Sequence, residues 1–385
     1  MSIRLLPNLA LAAMLCFSAM HSGTANNANL HAIPNDRSVK SIFDVFAQKE
    51  MLEVTLKTDL AFLIENRKKE TDQPATISYI NEAGQEVSYD IEITPRGKYR
   101  RRICDFPPLK LKFSKPVLTG QGLSGHNDLK LVTHCVENKT TGNEQLLKEF
   151  LAYRLYNLLT DKSYRVQLLQ ITYVDSNGKA GKQKRYGFLI EDTDEMAERL
   201  GGLECDQCMN PQPATLDAGS ERLMAVFQYM IGNTDWSLQM ARNVKIVQPV
   251  TGTGTLVPYD FDFSGLVNPS YARINTNVGL TTTRERLYLG YPAKDEDLWS
   301  TINFIRSKRE DLVREIRSFK LLTTNSRLEM VAYIDEFFEI VTQLESARTS
   351  GIFEQLKKPS RFLNPNATEE AETPESAPKS VSTGK

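Results

Sequence analysis

Two short stretches of the sequence place acidic and amide side chains inside apolar surroundings. The first, YMIGNTDWSLQMARN, runs from Tyr229 to Asn243, and the second, YDFDFSG, runs from Tyr259 to Gly265. Carboxylates are almost never fully buried unless they are ion-paired or bind a metal. These residues are therefore the first candidates for a catalytic or metal-binding site.

The order of the polar residues is typical of phosphoryl transfer. In such a site one Asp accepts the proton of the acceptor hydroxyl, and an Asn later in the loop and an Asp beyond the next hairpin bind the metal that bridges the phosphates. Asp235, Asn243 and Asp260 occupy those places in order. Asp262 is a further predicted metal ligand, because alternate residues of a strand point to the same face. Carboxylate and amide oxygens are ligands that Mg²⁺ prefers.

Residues upstream of these loops are expected to bind the nucleotide. In kinase-type sites a lysine on a strand contacts the phosphates, and a glutamate on the next helix holds that lysine. Lys130 in DLKLV and Glu149 in LLKEFLAYRL have those positions, and Arg96 lies at a turn between predicted strands. The segment FLIED, residues 188–192, falls where a strand would meet an adenine ring. The predicted ligands are therefore Mg²⁺ and ATP.

Other uses of the same residues remain open. Asp235 could cap a turn after the preceding helix, and the two aspartates of DFD could pair with surface arginines. A lysine on a strand and a glutamate within a helix, such as Lys130 and Glu149, are usually exposed to solvent. DFD also matches the DxD string of glycosyltransferases that bind a sugar nucleotide through a divalent metal. That fold would normally need a parallel sheet near the N-terminus.

The predicted elements divide the chain into a β-rich part and a mainly helical part. Residues 49–193 alternate apolar and polar side chains, as antiparallel strands do, and include one long helix that Asn143 is expected to cap. Residues 194–350 have helical periodicity, interrupted by a hairpin over the turn TGTGT. The predicted site lies where these two parts meet.

The two ends of the chain are predicted to lie outside the folded part. Residues 1–25 combine a basic start, the apolar run LALAAMLCFSAM and small residues before Ala25, which is typical of a cleaved signal peptide. Residues 26–48 are polar and predicted to be flexible, and residues 351–385 are predicted to be a disordered tail. The protein is therefore predicted to be exported, to the periplasm or out of the cell.

Four cysteines remain after removal of the signal peptide, namely Cys104, Cys135, Cys205 and Cys208. An even number in an exported chain predicts disulfides, and the pairing Cys104–Cys135 with Cys205–Cys208 is favoured among the three possible ones. A zinc site or a redox motif is the alternative. It is disfavoured because NPQP, which breaks helices, follows CDQC, and because a second close pair is missing.

The charge of the chain argues against a nucleic-acid partner. The formal net charge is −1, and GKYRRR, Gly97 to Arg102, is the one local basic run. No stretch after the signal peptide is long and apolar enough to be predicted as a transmembrane helix.

These motifs resemble those of the spore-coat CotH type of secreted atypical kinases. The resemblance covers roughly residues 90–265, through ITPRGKYRRRICDFPPLKLKF, DLKLVTHC with the helix after it, GNTDW followed by RN, and PYDFD. Over nearly the whole chain the sequence also resembles uncharacterised exported bacterial proteins that contain GNTDWS and PYDFDFSG.

The resemblance implies an α+β, two-lobed atypical protein-kinase-like fold, with an antiparallel β-rich N-lobe and a mainly helical C-lobe. It implies that Asp235 is the catalytic base, that Asn243 and Asp260 bind Mg²⁺, and that Lys130, held by Glu149, contacts the phosphates of ATP. The acceptor would be a protein or another component of the envelope.

The chain departs from conventional kinases in two respects. It has no GxGxxG loop, and Asn243 follows Asp235 by eight residues, where the conventional catalytic loop leaves five. The alternative function is therefore a catalytically inactive, kinase-shaped protein that binds an envelope partner.

Overall fold

The computed structural model describes residues 39–363, so the predicted signal peptide lies outside the described residues. Strands in this range alternate buried and exposed side chains over most of their length. Their bounds are β1 Met51–Thr58, β2 Gln73–Ile80, β3 Glu86–Pro95, β4 Leu109–Phe113, β5 Asp128–Val132, β6 Val166–Asp175, β7 Lys182–Ile190, β8 Gly202–Glu204, β9 Val244–Pro249 and β10 Thr255–Pro258.

Seven of these strands close into a barrel in the order β1-β2-β3-β4-β5-β7-β6. Neighbouring strands are antiparallel except β1 and β6, which pair in parallel from Met51 opposite Leu168 to Thr58 opposite Asp175. Leucine, isoleucine and aromatic side chains of the strands form a core of their own. The parallel pair is what closes the sheet on itself.

Helices pack against part of the barrel and form much of the second core. They are α1 Ile42–Phe46, α2 Leu60–Glu65, α3 Arg100–Ile103, α4 Lys115–Gly120, α5 Lys139–Leu159, α6 Thr193–Arg199, α7 Ala218–Met230, α8 Asp295–Ser307, α9 Arg309–Ser318, α10 Thr324–Ser346 and α11 Ile352–Leu356. Among the helices of residues 39–363, none has the length and apolar character needed to cross a membrane.

The remaining three strands form a separate small sheet in the order β10-β9-β8. All its pairs are antiparallel, with Leu256 opposite Ile246 and Leu203 opposite Gln248. Apolar residues of this sheet form a second core together with helix α5 and with the helices from α7 through α11. The loops at the ends of β9 and β10 carry the acidic stretches of the sequence.

The predicted two-lobed kinase-like fold is wrong. The β-rich part is a closed seven-stranded mixed barrel, not an antiparallel lobe, and the part predicted to be mainly helical contains the three-stranded sheet. The parallel pairing of β1 with β6 joins strands that are far apart in the chain. Turn and spacing signals identify neighbouring antiparallel strands, so the sequence has no local sign of this closure.

Helix α5 begins five residues earlier than the sequence predicts. Asn138, not Asn143, is its N-cap, and the Asn138 side chain accepts a hydrogen bond from the backbone N–H of Thr141 at 3.0 Å. The first turns of the helix need a glycine at position 142, because a Cβ there would come within 2.6 Å of the carbonyl oxygen of Val136. The helix packs against β6, β7 and α9.

Both ends of the described range belong to the core, contrary to the sequence-based expectation. Helix α1, within the segment 26–48 that was predicted to be flexible, is buried against the barrel through three apolar residues. The predicted disordered tail, 351–385, begins with α11, whose Ile352 and Leu356 are buried in the second core. Residues 364–385 lie outside the described residues.

The four cysteines form the two predicted disulfides. Cys104 and Cys135 are joined with an S–S distance of 2.09 Å, and Cys205 and Cys208 are joined across three positions of the chain. The first bond links the end of α3 to the chain just after β5, and the second closes the loop after β8. Such bonds are typical of proteins that reach an oxidising compartment.

Candidate active site

The loop between α7 and β9 carries Asp235 and Asn243, and Asn233 sets its shape. Asn233 Oδ1 accepts the backbone N–H of Asp235 at 3.0 Å, and its backbone carbonyl accepts the indole N–H of Trp236 at 3.1 Å. Its Nδ2 donates to Gln228 at 3.0 Å. The Asn233 amide therefore joins the loop to the end of α7.

Asp235 and Asn243 are in direct contact. Asn243 Nδ2 donates to Asp235 Oδ2 at 3.1 Å and to the backbone carbonyl of Asp235 at 2.5 Å. Arg242 Nε lies 3.5 Å from Asp235 Oδ1. Burial raises the pKa of Asp235, the charge of Arg242 opposes that rise, and the nearby carboxylate of Asp260 adds to it.

Asp260 and Asp262 lie beyond β10, which ends at Pro258, so the expectation that they share one face of a strand is wrong. Asp260 has a left-handed backbone with φ 62°, and its N–H donates to the Tyr153 hydroxyl at 2.8 Å. Asp260 is partly exposed, whereas Asp262 is only 1% exposed. Burial raises the pKa of Asp262 well above its usual range, and the adjacent charge of Asp260 adds to the rise.

Arg100, the first residue of α3, connects Asp262 to Glu149. Its Nη1 lies 3.2 Å from Glu149 Oε2 and 3.9 Å from Asp262 Oδ2, and its Nη2 donates to the backbone carbonyl of Thr133 at 3.1 Å. All three charged groups are buried. Burial raises the pKa of Glu149 to about 7, while the charge of Arg100 opposes that rise.

Glu149 and Lys130, which the sequence predicts as a pair, have other partners. Glu149 binds Arg100, whereas Lys130 Nζ bonds to the hydroxyl of Thr193 and lies 5.0 Å from the centroid of the Tyr164 ring. Sequence reasoning missed Arg100 because it belongs to the basic run GKYRRR, which reads as a solvent-exposed edge. Nothing in its spacing distinguishes it from the arginines that follow.

Lys130 lies among other positive charges. Burial, together with the charges of Arg96 and Lys245, lowers the pKa of Lys130 to about 7. Arg96 follows β3 and Lys245 lies on β9, where it pairs with Glu204. Three cations, Arg96, Lys130 and Lys245, therefore lie near one another. Sequence analysis did not identify Lys245 as one of them.

The segment FLIED is engaged in ion pairs at its end. Glu191 is fully buried and pairs with Arg165 at 2.7 Å and with Arg199 at 2.6 Å. Asp192 is the N-cap of α6. These two side chains stabilise the end of β7 and do not face the acidic loops.

The donor atoms of the site fit a magnesium ion that is shared with phosphates. In residues 39–363 no group of three or more His, Cys, Asp or Glu side chains is arranged to hold a metal ion. Mg²⁺ in nucleotide sites is bound by one or two carboxylates together with phosphates and water, not by a cage of protein ligands. Asp235, Asn243 and Asp260 supply two carboxylates and an amide of this kind.

A cavity of about 390 Å³ lies elsewhere, between α9 and α10. None of the predicted site residues lines it. Its lining residues are Arg309, Asp335, Phe338, Glu339, Thr342 and Gln343.

The fold and the site together define a disulfide-bonded protein with a closed seven-stranded barrel, a small second sheet and a group of charged side chains around two acidic loops. No protein-family model and no curated protein matches the sequence. The function of the protein is therefore inferred from the site.

Proposed function

We propose that this protein transfers a phosphoryl group from Mg²⁺-bound ATP to a hydroxyl group of a protein or another envelope component. The observation that carries the proposal is the contact between the two acidic loops: Asn243 donates to Asp235 through its side chain, and its backbone carbonyl accepts the N–H of Tyr259, next to Asp260, at 3.0 Å. The charge of Arg96 acts both on Tyr153, whose hydroxyl accepts the N–H of Asp260, and on Lys130. Hard oxygen ligands next to several cations suit a polyphosphate chain, in which a metal and positive side chains share the negative charge.

Asp235 would bind the acceptor hydroxyl and take its proton. Its side chain is 38% exposed, so an acceptor can reach the carboxylate. Hydrogen bonding from Asn243 and the charge of Arg242 hold the carboxylate in one orientation. A fixed, accessible base is what general-base catalysis requires.

Asn243 and Asp260 would hold the magnesium ion, Asn243 through its Oδ1. Asp262, which the sequence predicts as a third ligand, would not bind the ion, because it is buried and its Oδ2 accepts a hydrogen bond from Tyr271 at 3.3 Å and faces Arg100. When bound, Mg²⁺ neutralises part of the charge on the phosphates.

Lys130 and Arg96 would contact the phosphates. An anion beside Lys130 would favour its charged form, since repulsion from Arg96 and Lys245 would be offset. Glu149, which the sequence assigned to Lys130, would act on the site only through Arg100.

The resemblance of GNTDW, RN and PYDFD to the CotH-type kinases supports the same activity. It bears on the residues of the two acidic loops and carries no statement about the fold. Membership of that family is part of the proposal.

A non-catalytic binding protein is the second candidate. The observation that favours it is the pairing of Glu149 with Arg100, because active kinases need the pair between lysine and glutamate to be in place. A glycosyltransferase of the DxD type is not favoured, since Asp262 is buried against Arg100 and only Asp260 of the two aspartates is partly exposed.

Thermal unfolding of the oxidised protein tests the proposal. Wild type, Asp260→Asn and the surface control Asp311→Asn would be heated with Mg²⁺ alone, with Mg²⁺ and ATP, and with Mg²⁺ and UDP-glucose. A ligand at 100 times its dissociation constant stabilises the folded state by about 2.7 kcal/mol, which raises Tm visibly. We expect ATP to raise the Tm of wild type and of Asp311→Asn but not that of Asp260→Asn.

Each other outcome points to a different function. A shift with UDP-glucose alone would favour sugar transfer, and no shift with either nucleotide would favour the binding protein. A rise of Tm with ATP that persists in Asp260→Asn would show that the nucleotide binds away from the proposed loops.

A further inference from the structure

We infer that Arg100 is a positioning residue, which fixes the segment 259–265 against α5 by binding Asp262 and Glu149 at the same time. The consequence for metal and nucleotide binding rests on the proposed function. The positioning itself does not, because it concerns contacts within the chain.

Helix α5 holds this segment at two points that are one turn apart. Glu149 and Tyr153 are four residues apart and so lie on the same face of the helix. Tyr153 accepts the backbone N–H of Asp260 at 2.8 Å. Glu149 reaches Asp262 through the guanidinium of Arg100, with N···O distances of 3.2 and 3.9 Å. The two contacts together fix both aspartates of the DFD string.

The geometry needs an arginine at this position. Three acceptors surround the guanidinium, namely Glu149, Asp262 and the carbonyl of Thr133. A planar fork with five N–H donors serves several acceptors at once, whereas a lysine ammonium is a compact point charge. Arg100 is 7% exposed and both carboxylates are 1% exposed, so solvent cannot replace a missing donor.

Arg100 is itself held from the other side. The backbone N–H of Cys104 donates to the Arg100 carbonyl at 2.9 Å within α3, and Cys104 is bonded to Cys135. The N–H of Asp105 donates to the Cys135 carbonyl at 2.8 Å. The disulfide therefore keeps α3 beside the end of β5, where the Thr133 carbonyl meets the Arg100 side chain.

Hydrogen–deuterium exchange of the full-length oxidised protein tests the inference without any ligand. Arg100→Lys keeps the charge but loses the fork, and Arg101→Lys is the matched control, because the Arg101 guanidinium binds the carbonyl of Lys68 and the exposed carboxylate of Glu70. We expect Arg100→Lys to speed exchange of the amides of residues 259–265 by about tenfold or more, and Arg101→Lys to leave it unchanged. Arg100→Ala should give a larger effect where it folds.

Unchanged exchange in Arg100→Lys would overturn the inference, and so would an equal increase in Arg101→Lys. Binding of ATP in the presence of Mn²⁺, measured by calorimetry on the same variants, separates the two proposals, because the ion is expected to be shared with phosphates. If wild type binds the Mn²⁺–ATP complex and Arg100→Lys binds it about tenfold more weakly, the positioning serves the metal site. If wild type does not bind the complex, the proposed function fails, while the exchange result still decides the role of Arg100.

Discussion

The carboxylate of Asp235 is oriented by Asn243 and Arg242. Replacing Asp235 by asparagine keeps the shape of the side chain and removes its negative charge. We expect Asp235→Asn to lower phosphoryl transfer by about 10² to 10⁴, the range for loss of a general base, and to leave nucleotide binding within about threefold. Transfer of labelled phosphate and a nucleotide titration measure the two quantities. A variant that keeps full activity would contradict the role given to Asp235.

Lys130 makes the stability of the fold depend on pH. Its pKa in the folded state is lowered to about 7 by burial and by Arg96 and Lys245, whereas an unfolded lysine has a pKa near 10.5. Between these values the unfolded chain binds more protons, so stability rises as the pH increases from about 7 towards 10.5. We expect Lys130→Met to stabilise the protein at pH 7 and to reduce this rise.

Denaturant unfolding at pH 7 and pH 9 measures the effect of Lys130. The control is Lys112→Met on β4, because a hydrogen bond to Glu92 raises the pKa of Lys112 and its contribution has the opposite sign. An equal rise in wild type and in Lys130→Met would show that Lys130 is charged in the folded protein.

The candidate residues could be read from the sequence where their type is unusual for their surroundings. Acidic residues in apolar stretches identified Asp235 and Asp260, and the structure brings their loops together. Arg100 could not be found in this way, because its role depends on which carboxylates surround it in space. The wrong partner assigned to Glu149 has the same cause.

At the scale of the element, Gly142 in α5 tests whether a glycine-to-alanine substitution in a helix raises or lowers the free energy of unfolding. Alanine is better than glycine by up to about 1 kcal/mol in a helix, but a Cβ at Gly142 would lie 2.6 Å from the Val136 carbonyl oxygen. We expect Gly142→Ala to lower the free energy of unfolding by about 1 to 3 kcal/mol, as overpacking does. Chemical denaturation measures it.

Gly219 in α7 is the matched control. The nearest atom to a Cβ at this position is the Asp217 side chain at 3.6 Å, which is ordinary contact. Gly219→Ala should therefore leave stability unchanged or raise it slightly. Stabilisation by both substitutions would show that the chain before α5 moves away from Gly142 at little cost.

At the scale of the whole molecule, the two disulfides differ in the length of chain that they close. Cys104 and Cys135 are 31 positions apart, and Cys205 and Cys208 are three apart. Loop-closure entropy then predicts stabilisation of about 3.5 kcal/mol for the first bond and about 2 kcal/mol for the second. Replacing each pair by alanines and measuring unfolding checks the order.

The shorter disulfide has a local effect to be measured as well. The N–H of Asn210 donates to the Gln239 carbonyl at 2.9 Å, which connects the segment after Cys208 to the loop of Asp235. We expect the Cys205→Ala, Cys208→Ala variant to lower phosphoryl transfer although its loss of stability is the smaller of the two double variants. A variant that loses stability but keeps the activity of wild type would contradict this expectation.

The sequence predicted single elements better than their arrangement. The alternation over residues 50–135 and the helix before Gly232 correspond to real strands and to α7, because local periodicity determines them. The closure of β1 on β6 is a contact between distant strands, and the buried ends α1 and α11 are short amphipathic segments in polar surroundings. These features become favourable only through the tertiary packing that no local pattern records.

The bond between Cys104 and Cys135 also makes the surroundings of Arg100 sensitive to the redox state of the protein. In the reduced chain no covalent link keeps α3 beside the Thr133 carbonyl that Arg100 binds, so the contact from Arg100 to Asp262 would be less firmly held. On the proposed function, oxidation of this pair would be a maturation step that precedes phosphoryl transfer.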